Sequence, residues 1–168
     1  MEHKEAYKFL EKKTKDLGLE NLSAHIKKVG PLKITQSRMA FIPHLVKIIV
    51  GQQLSVQSAA AIWKRTEFIL KNNKYKKPNN NLNLKFKNAG LSRQKIEYIN
   101  GIIYNQDLKK FSKTKLKRLS ASDYYEMLIQ IKGIGPWSIE MSRIFFVGDP
   151  DVFSILDLGL KNAHLKLF

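Results

Sequence analysis

Cysteine is absent from this chain of 168 residues. Its absence excludes disulfides, cysteine nucleophiles, thiolate zinc sites and iron–sulfur clusters held by cysteine. The sequence also lacks any apolar run near the length of a membrane span, and its first residues lack the apolar stretch of a signal peptide. These absences predict a soluble protein without a membrane partner, located in the cytoplasm or nucleoid, or in the nucleus of a eukaryote.

Acidic residues are scarce, because 14 Asp and Glu stand against 30 Lys and Arg, for a net charge of +16. Such an excess favours a polyanionic partner, since neutralising phosphates releases counterions. A basic ribosomal or RNA-associated protein is the alternative that charge alone allows. The hydrophobic fraction of 43% supports a packed core, so we expect a globular protein. We also expect it to be a monomer.

Alternating β-strand patterns and internal repeats are missing, whereas apolar residues recur at helical spacing in most of the chain. We therefore predict an all-α fold. Asn21 or Ser23 is the expected cap of the second helix, which Gly30 ends, and Ser55 is the expected cap of the fourth. Residues 72–83 are rich in Asn and Lys and predict an exposed connection.

Residues 128–141 contain a Gly133-Ile134-Gly135 turn between two apolar helical patterns. Glycine allows unusual backbone angles and a close approach, and Pro136 suits the first turn of the following helix. Backbone N–H groups at such a helix start favour a phosphate oxygen. However, Gly-x-Gly turns also join many helix pairs that bind nothing.

Asp157 is the best candidate for a catalytic carboxylate. Cleavage of an N-glycosidic bond develops positive charge on the sugar, and a carboxylate can stabilise that charge. The alternative is that Asp157 only caps the last helix. Trp137 and Met141 are candidates for a pocket that holds an extruded base, although each could simply belong to the core. The four histidines show no metal-ligand spacing, and 109–118 is a basic segment that predicts a short helix or a phosphate-facing surface.

Four stretches in register resemble the helix-hairpin-helix (HhH-GPD) DNA glycosylases, specifically the 3-methyladenine DNA glycosylase II (alkylbase) branch. They are residues 45–55, with Gly51-Gln52-Gln53-Leu54-Ser55; 89–99, with Gly90-Leu91-Ser92-Arg93; 131–141, with Gly133-Ile134-Gly135-Pro136-Trp137; and 151–160, with Asp157-Leu158-Gly159. Together they span roughly residues 37–165. The resemblance implies a two-lobed fold that binds double-stranded DNA, with an incomplete carboxyl-terminal return because the chain ends at Phe168.

The implied organisation has an amino-terminal lobe of residues 1–40 that is completed by 148–168. A central domain of 41–147 ends in the helix-hairpin-helix at about 123–147. The resemblance places Asp157 at the position of the catalytic aspartate. One departure is that Ser154-Ile155-Leu156 precede Asp157, where relatives usually carry a second acid.

The resemblance also implies how the hairpin binds DNA. Backbone amides of Gly133, Ile134 and Gly135 would hold a phosphate, and Lys132 would contact DNA. A monovalent cation, K⁺ or Na⁺, would bind the backbone of Lys132 and Ile134. No other cofactor and no iron–sulfur cluster is expected.

Two further sets of residues take roles from the resemblance. Trp137 stands where bifunctional relatives have the lysine that forms a Schiff base, which implies a monofunctional hydrolase, and Trp137 and Met141 would line the base pocket. Gln53 stands at the position of the residue that wedges into the duplex. The remaining implied DNA contacts are Gln52, Leu54, Ser55 and Arg93.

The function that this resemblance implies is hydrolysis of the N-glycosidic bond of alkylated purines of the 3-methyladenine type in duplex DNA. The product would be an abasic site for base excision repair. The alternative is a non-catalytic helix-hairpin-helix DNA-binding protein, or a truncated glycosylase that has lost activity.

Overall fold

A computed structural model describes residues 3–73 and 77–167, and within these ranges it contains helices and no β-strand. The all-α prediction is therefore confirmed. The chain divides into two compact units, one formed by residues 1–35 with 154–168 and the other by 36–153. No helix in the described part of the chain is long and apolar enough to cross a membrane.

The smaller unit contains α1 (His3–Asp16), α2 (Glu20–Val29) and α10 (Leu158–Leu167). Helices α1 and α2 pack against each other across a tight turn in which Gly18 has φ of +67°. Helix α2 ends at Gly30 as predicted, but the predicted caps are wrong, because the helix already begins at Glu20 and its N-cap position is Leu19. Asn21 and Ser23 lie within its first turn, and Ser23 is buried.

The larger unit is built around α3 (Phe41–Gly51), whose apolar side chains fill its core. Helices α4 (Val56–Lys71), α6 (Arg93–Ile103) and α9 (Pro136–Ser142) pack against α3. The Ser55 side chain accepts a hydrogen bond from the Ser58 N–H, so Ser55 caps α4 as predicted.

Part of the segment predicted as an exposed connection is helical. Helix α5 spans Asn80–Asn88, and the Asn79 side chain caps it by accepting from the Leu82 N–H at 2.8 Å. Leu82 and Phe86 are four positions apart and therefore share one face of the helix, and both are buried. The prediction for 72–83 was therefore wrong from Asn79 onward, and its residues 74–76 lie outside the described ranges.

The end of the larger unit leads into the hairpin. A 3-10 turn (Leu108–Lys110) and the short α7 (Lys113–Leu116) precede α8 (Ala121–Ile129), which Ser120 caps. Pro136 begins α9, as predicted, and one turn of π-helix follows at Arg143–Val147.

His44 is buried in α3 against the ring of Phe146, at a centroid distance of 4.9 Å. Neither of its ring nitrogens has a hydrogen-bond partner among the described residues. Burial, with smaller contributions from the positive charges of Lys47 and Lys113, lowers the pKa of His44 to about 4. The folded state therefore holds this imidazole neutral.

We predict that His44 makes the larger unit sensitive to acid. The unfolded chain binds a proton at His44 near its ordinary pKa of 6.5, but the folded chain does so only near 4. The free energy of unfolding is therefore not reduced by His44 above about pH 6.5, and it falls by about 3 kcal/mol as the pH drops to about 4. His44→Leu should remove this loss, as measured by thermal melts between about pH 7 and about pH 4.5.

His25→Gln is the matched control, because His25 is exposed on α2. It should leave the difference in melting temperature between the two pH values unchanged. An equal acid shift in wild type and His44→Leu would contradict the assignment.

Candidate nucleic-acid interface

The hairpin between α8 and α9 is held by two backbone hydrogen bonds. The Ile131 N–H donates to the Leu128 carbonyl at 3.0 Å, and the Ile134 N–H donates to the Ile131 carbonyl at 2.9 Å. The N–H groups of Gly133 and Gly135 have no hydrogen-bond acceptor within the described chain. The hairpin therefore presents two donors that an anion could use.

The two hairpin positions, 133 and 135, differ in whether the structure requires glycine there. Gly133 has φ of +92°, and a Cβ there would lie 2.3 Å from the Tyr98 ring, so the backbone rests directly on this aromatic side chain. Gly135 has φ of −107°, and a Cβ there would meet nothing within 4 Å. Close packing thus requires glycine at 133, whereas 135 has room for a side chain.

The connection from α3 to α4 carries the predicted wedge. Gln53 has φ of +56° and is the only non-glycine residue with positive φ in the described ranges. Its side chain is exposed, and Leu54 beside it is 38% exposed. An amide side chain on a sharp turn, next to an accessible leucine, fits the wedge that the resemblance implies, which stays a prediction.

Gln52 faces the protein instead. Its Nε2 donates to the Gly133 carbonyl at 2.9 Å and to Ser138 Oγ at 3.0 Å. Because a carbonyl oxygen can only accept, the amide nitrogen must point toward Gly133. Both N–H groups of the amide are thereby used within the protein, and the predicted contact of Gln52 with DNA stays a prediction.

Lys95 in α6 closes the end of α3. Its Nζ donates to the carbonyl oxygens of Val50 at 2.9 Å and Gln52 at 2.8 Å, which satisfies acceptors at a helix end. Burial lowers the pKa of the Lys95 ammonium. The positive charge also suits the negative end of the α3 dipole.

The predicted contacts Arg93 and Lys132 lie on exposed surface. Lys132 Nζ forms an ion pair with Glu97 at 2.6 Å. The hydrogen bond and charge of Lys132 lower the pKa of Glu97, and those of Glu97 raise the pKa of Lys132. A phosphate that approaches Lys132 therefore competes with this carboxylate.

The basic segment 109–118 contains a short helix, which was one of the two predicted alternatives, and several of its lysines have partners within the protein. Lys110 pairs with Asp107 at 2.7 Å, and Lys113 Nζ donates to the Ser37 carbonyl at 2.8 Å while lying over the Phe146 ring. These contacts favour a structural role for Lys113, whose pKa burial lowers.

Trp137 and Met141 both lie on α9, four residues apart and therefore on one face of the helix. Both side chains are partly buried. An aromatic ring and a thioether on one face suit contact with a flat base, and their role in a base pocket stays a prediction.

Asp157 lies in the smaller unit at the start of α10. Its Oδ1 accepts from the Leu160 N–H at 3.0 Å, and its own N–H donates to the Ser154 carbonyl at 3.1 Å. Asp157 therefore does cap the last helix, the alternative that the sequence left open. Capping does not oppose a catalytic role, which stays a prediction.

Sequence reasoning missed three supporting residues: Tyr98, Lys95 and Ser138. The first two lie inside the stretch 89–99 that carried the resemblance, but spacing alone did not show which of its side chains point inward. The described residues contain no group of three or more acids or histidines that could hold a metal ion.

Comparison with known proteins identifies the relationship. DNA-3-methyladenine glycosylase 1 of Schizosaccharomyces pombe is 31% identical over 155 residues, which cover 88% of this chain and 68% of the relative. The solved structure of the Schizosaccharomyces pombe 3-methyladenine DNA glycosylase in complex with abasic DNA matches with a TM-score of 0.74 and 27% identity, covering 88% of this chain and 74% of that one.

A DNA-3-methyladenine glycosidase of Bacillus halodurans matches with a TM-score of 0.65 and 32% identity, covering 85% of this chain and 66% of that chain. The chain thus spans two thirds to three quarters of the length of these relatives. No family model matches the sequence. The helical fold, the hairpin and a relative at 31% identity agree, and the chain therefore belongs to the DNA-3-methyladenine glycosylase family of helix-hairpin-helix proteins.

Proposed function

We propose that this protein is a DNA repair glycosylase that hydrolyses the N-glycosidic bond of alkylated purines, of the 3-methyladenine type, in duplex DNA. The product is an abasic site, which enters base excision repair. The observation that carries the proposal is the hairpin with two unpaired amides beside the exposed Gln53 turn, in a chain of this family. A net charge of +16 supports attraction to the DNA backbone.

The reaction requires the base to leave the stack before the bond can break. Gln53, with Leu54 beside it, fills the space that the extruded nucleotide leaves. A ring face such as that of Trp137 stacks on the extruded base, and an alkylated purine that carries positive charge gains additional cation–π attraction. This preference for electron-poor bases supports alkylated purines as the substrate class.

Asp157 supplies the carboxylate for the chemical step. As the glycosidic bond breaks, positive charge develops on the sugar, and a nearby carboxylate stabilises that charge and orients the attacking water. The hydrogen bond from the Leu160 N–H fixes the direction of this carboxylate before substrate binds. Base leaves with the bonding electrons, and water adds to the sugar carbon and loses a proton.

The hairpin binds a phosphate next to the lesion through the amides of Gly133 and Gly135. The carbonyl oxygens of Lys132 and Ile134 accept no hydrogen bond from described residues, so they fit as ligands of a monovalent cation. Such an ion would add positive charge at the phosphate. Arg93, Lys132 and Ser55 belong to the same predicted DNA contacts.

Mutation of Asp157 separates its capping role from its chemical one. Asp157→Asn keeps an oxygen that can accept from the Leu160 N–H, so the melting temperature should stay near that of wild type. Release of methylated base from alkylated duplex should fall by at least about a hundredfold, because the neutral amide cannot stabilise the developing charge. Base release under single-turnover conditions measures the effect.

Asp157→Ala is the matched comparison, because it removes both the cap and the charge. It should lower the melting temperature as well as the rate. Equal base release by wild type and Asp157→Asn, with contaminating glycosylase excluded, would refute the catalytic assignment and favour a non-catalytic DNA-binding protein.

Gly135 offers a test of the phosphate site that does not disturb the fold. Aspartate is a good N-cap and Gly135 has room for it, so Gly135→Asp should keep or raise the melting temperature. The new carboxylate would place a negative charge next to the Gly133 and Gly135 amides and would repel a phosphate bound there. We expect duplex affinity at moderate salt to fall about tenfold or more.

Gly135→Asn is the neutral control, and it should lose clearly less affinity than Gly135→Asp. The same affinity for both variants would mean that the hairpin does not hold a phosphate. Gly133→Asp is unsuitable for this purpose, because its side chain would collide with Tyr98 and disturb the hairpin itself.

Trp137 predicts a monofunctional reaction, because an indole cannot form a Schiff base with the sugar. Wild-type protein incubated with abasic duplex and borohydride should therefore leave no covalent complex on a denaturing gel. A bifunctional glycosylase of known activity serves as the positive control, and a trapped complex with wild type would contradict the prediction.

A further inference from the structure

Gln52 joins the two elements that the proposed function assigns to DNA. Its backbone belongs to the turn that carries Gln53, and its side-chain amide binds the Gly133 carbonyl and Ser138 Oγ across the hairpin. All of these residues lie in the larger unit. One side chain therefore fixes the distance between the wedge turn and the phosphate-binding hairpin.

Helix α6 reinforces the same connection from a third side. Lys95 holds the carbonyls of Val50 and Gln52, and Tyr98 lies against Gly133. The Tyr98 hydroxyl in turn accepts from Gln94 Nε2 at 2.6 Å. Turn, hairpin and α6 are thus bound pairwise through residues that lie between the predicted DNA contacts.

The turn needs such support because Gln53 holds a left-handed backbone conformation. At φ of +56°, a residue other than glycine is disfavoured unless its surroundings impose the conformation. The bonds to Gln52 on one side and the Ser55 cap on the other confine the two ends of this turn. These contacts therefore maintain the disfavoured backbone conformation of Gln53, the residue proposed to enter the duplex.

We propose that Gln52 is a positioning residue of the glycosylase, which couples insertion of Gln53 to phosphate binding at the hairpin without itself relying on a DNA contact. Because the turn and the hairpin move together, the hairpin cannot bind the phosphate while Gln53 remains outside the duplex. The proposal rests on the proposed function, since it concerns the same DNA-binding site.

Two variants test the proposal from opposite ends of the same hydrogen bond. Gln52→Met keeps the length of the side chain but removes both donated bonds. Ser138→Ala removes one acceptor, and Ser138 is 2% exposed, so it cannot report a direct DNA contact. Gln106→Met is the control, because Gln106 is exposed and its amide donates to the nearby Tyr104 carbonyl.

The first readout is the fluorescence of 2-aminopurine placed opposite an abasic site, which rises when the base is unstacked. Gln52→Met should reduce this rise and weaken binding of the abasic duplex by about tenfold. Ser138→Ala should change both in the same direction by a smaller factor. The salt dependence of binding should stay as in wild type, because no cation is removed.

The second readout is kinetic. With alkylated duplex, Gln52→Met should lower the single-turnover rate at saturating protein as well as the affinity, because the wedge is misplaced in the bound complex. Circular dichroism must show a folded protein for each variant. If Gln52→Met fails to fold, Ser138→Ala with its expected loss of fluorescence still decides.

The outcomes separate this inference from the function on which it rests. A wild-type protein that neither binds abasic duplex nor releases base refutes the proposed function. Wild-type activity with unchanged fluorescence and rate in both Gln52→Met and Ser138→Ala refutes the positioning role. Loss in Gln52→Met but not in Ser138→Ala also refutes it, because a direct DNA contact by Gln52 would then explain the result.

Discussion

The contact on which the hairpin depends is the close approach of its backbone to the Tyr98 ring. A Cβ at residue 133 would lie 2.3 Å from that ring, so only glycine allows the turn to settle on α6. With the backbone in this position, the Gly133 carbonyl points toward Gln52 and accepts its amide. Packing within the protein therefore orients the remaining hairpin amides before any DNA binds. Preorganised donors of this kind lose little entropy when a phosphate binds.

Charge alone would have given a misleading picture of how this protein meets DNA. The net charge of +16 suggests a surface of free cations, yet Lys95, Lys110, Lys113 and Lys132 each hold a carbonyl or a carboxylate of the protein. Part of the positive charge thus stabilises helix ends and loops. In the proposed function, the hairpin amides and the Gln53 turn supply the precision that long-range attraction lacks, because attraction to phosphates is independent of sequence and lesion.

The sequence predicted features whose cause is local and missed those whose cause is distant. Ser55 and Pro136 could be predicted because caps and first-turn prolines depend on a few neighbouring residues. Helix α5 was missed because its asparagines resemble a loop, while its stability comes from burial of Leu82 and Phe86 in the core. The inward orientation of Gln52 was equally hidden, since its partner carbonyl is 81 residues away. The family resemblance predicted the site positions, and the structure shows which of their side chains face inward.

The cap formed by Asp157 would support the chemistry that we propose for this residue. An N-cap carboxylate is held by a backbone donor, so its orientation does not depend on the substrate. A catalytic carboxylate benefits from the same restraint, because a group that is already oriented needs no reorganisation when charge develops on the sugar. The hydrogen bond to the Leu160 N–H also places Asp157 at the positive end of the α10 dipole, which favours a negative charge there. Capping of α10 by Asp157 was the alternative to catalysis, and it is thus the interaction that would orient the carboxylate for the reaction.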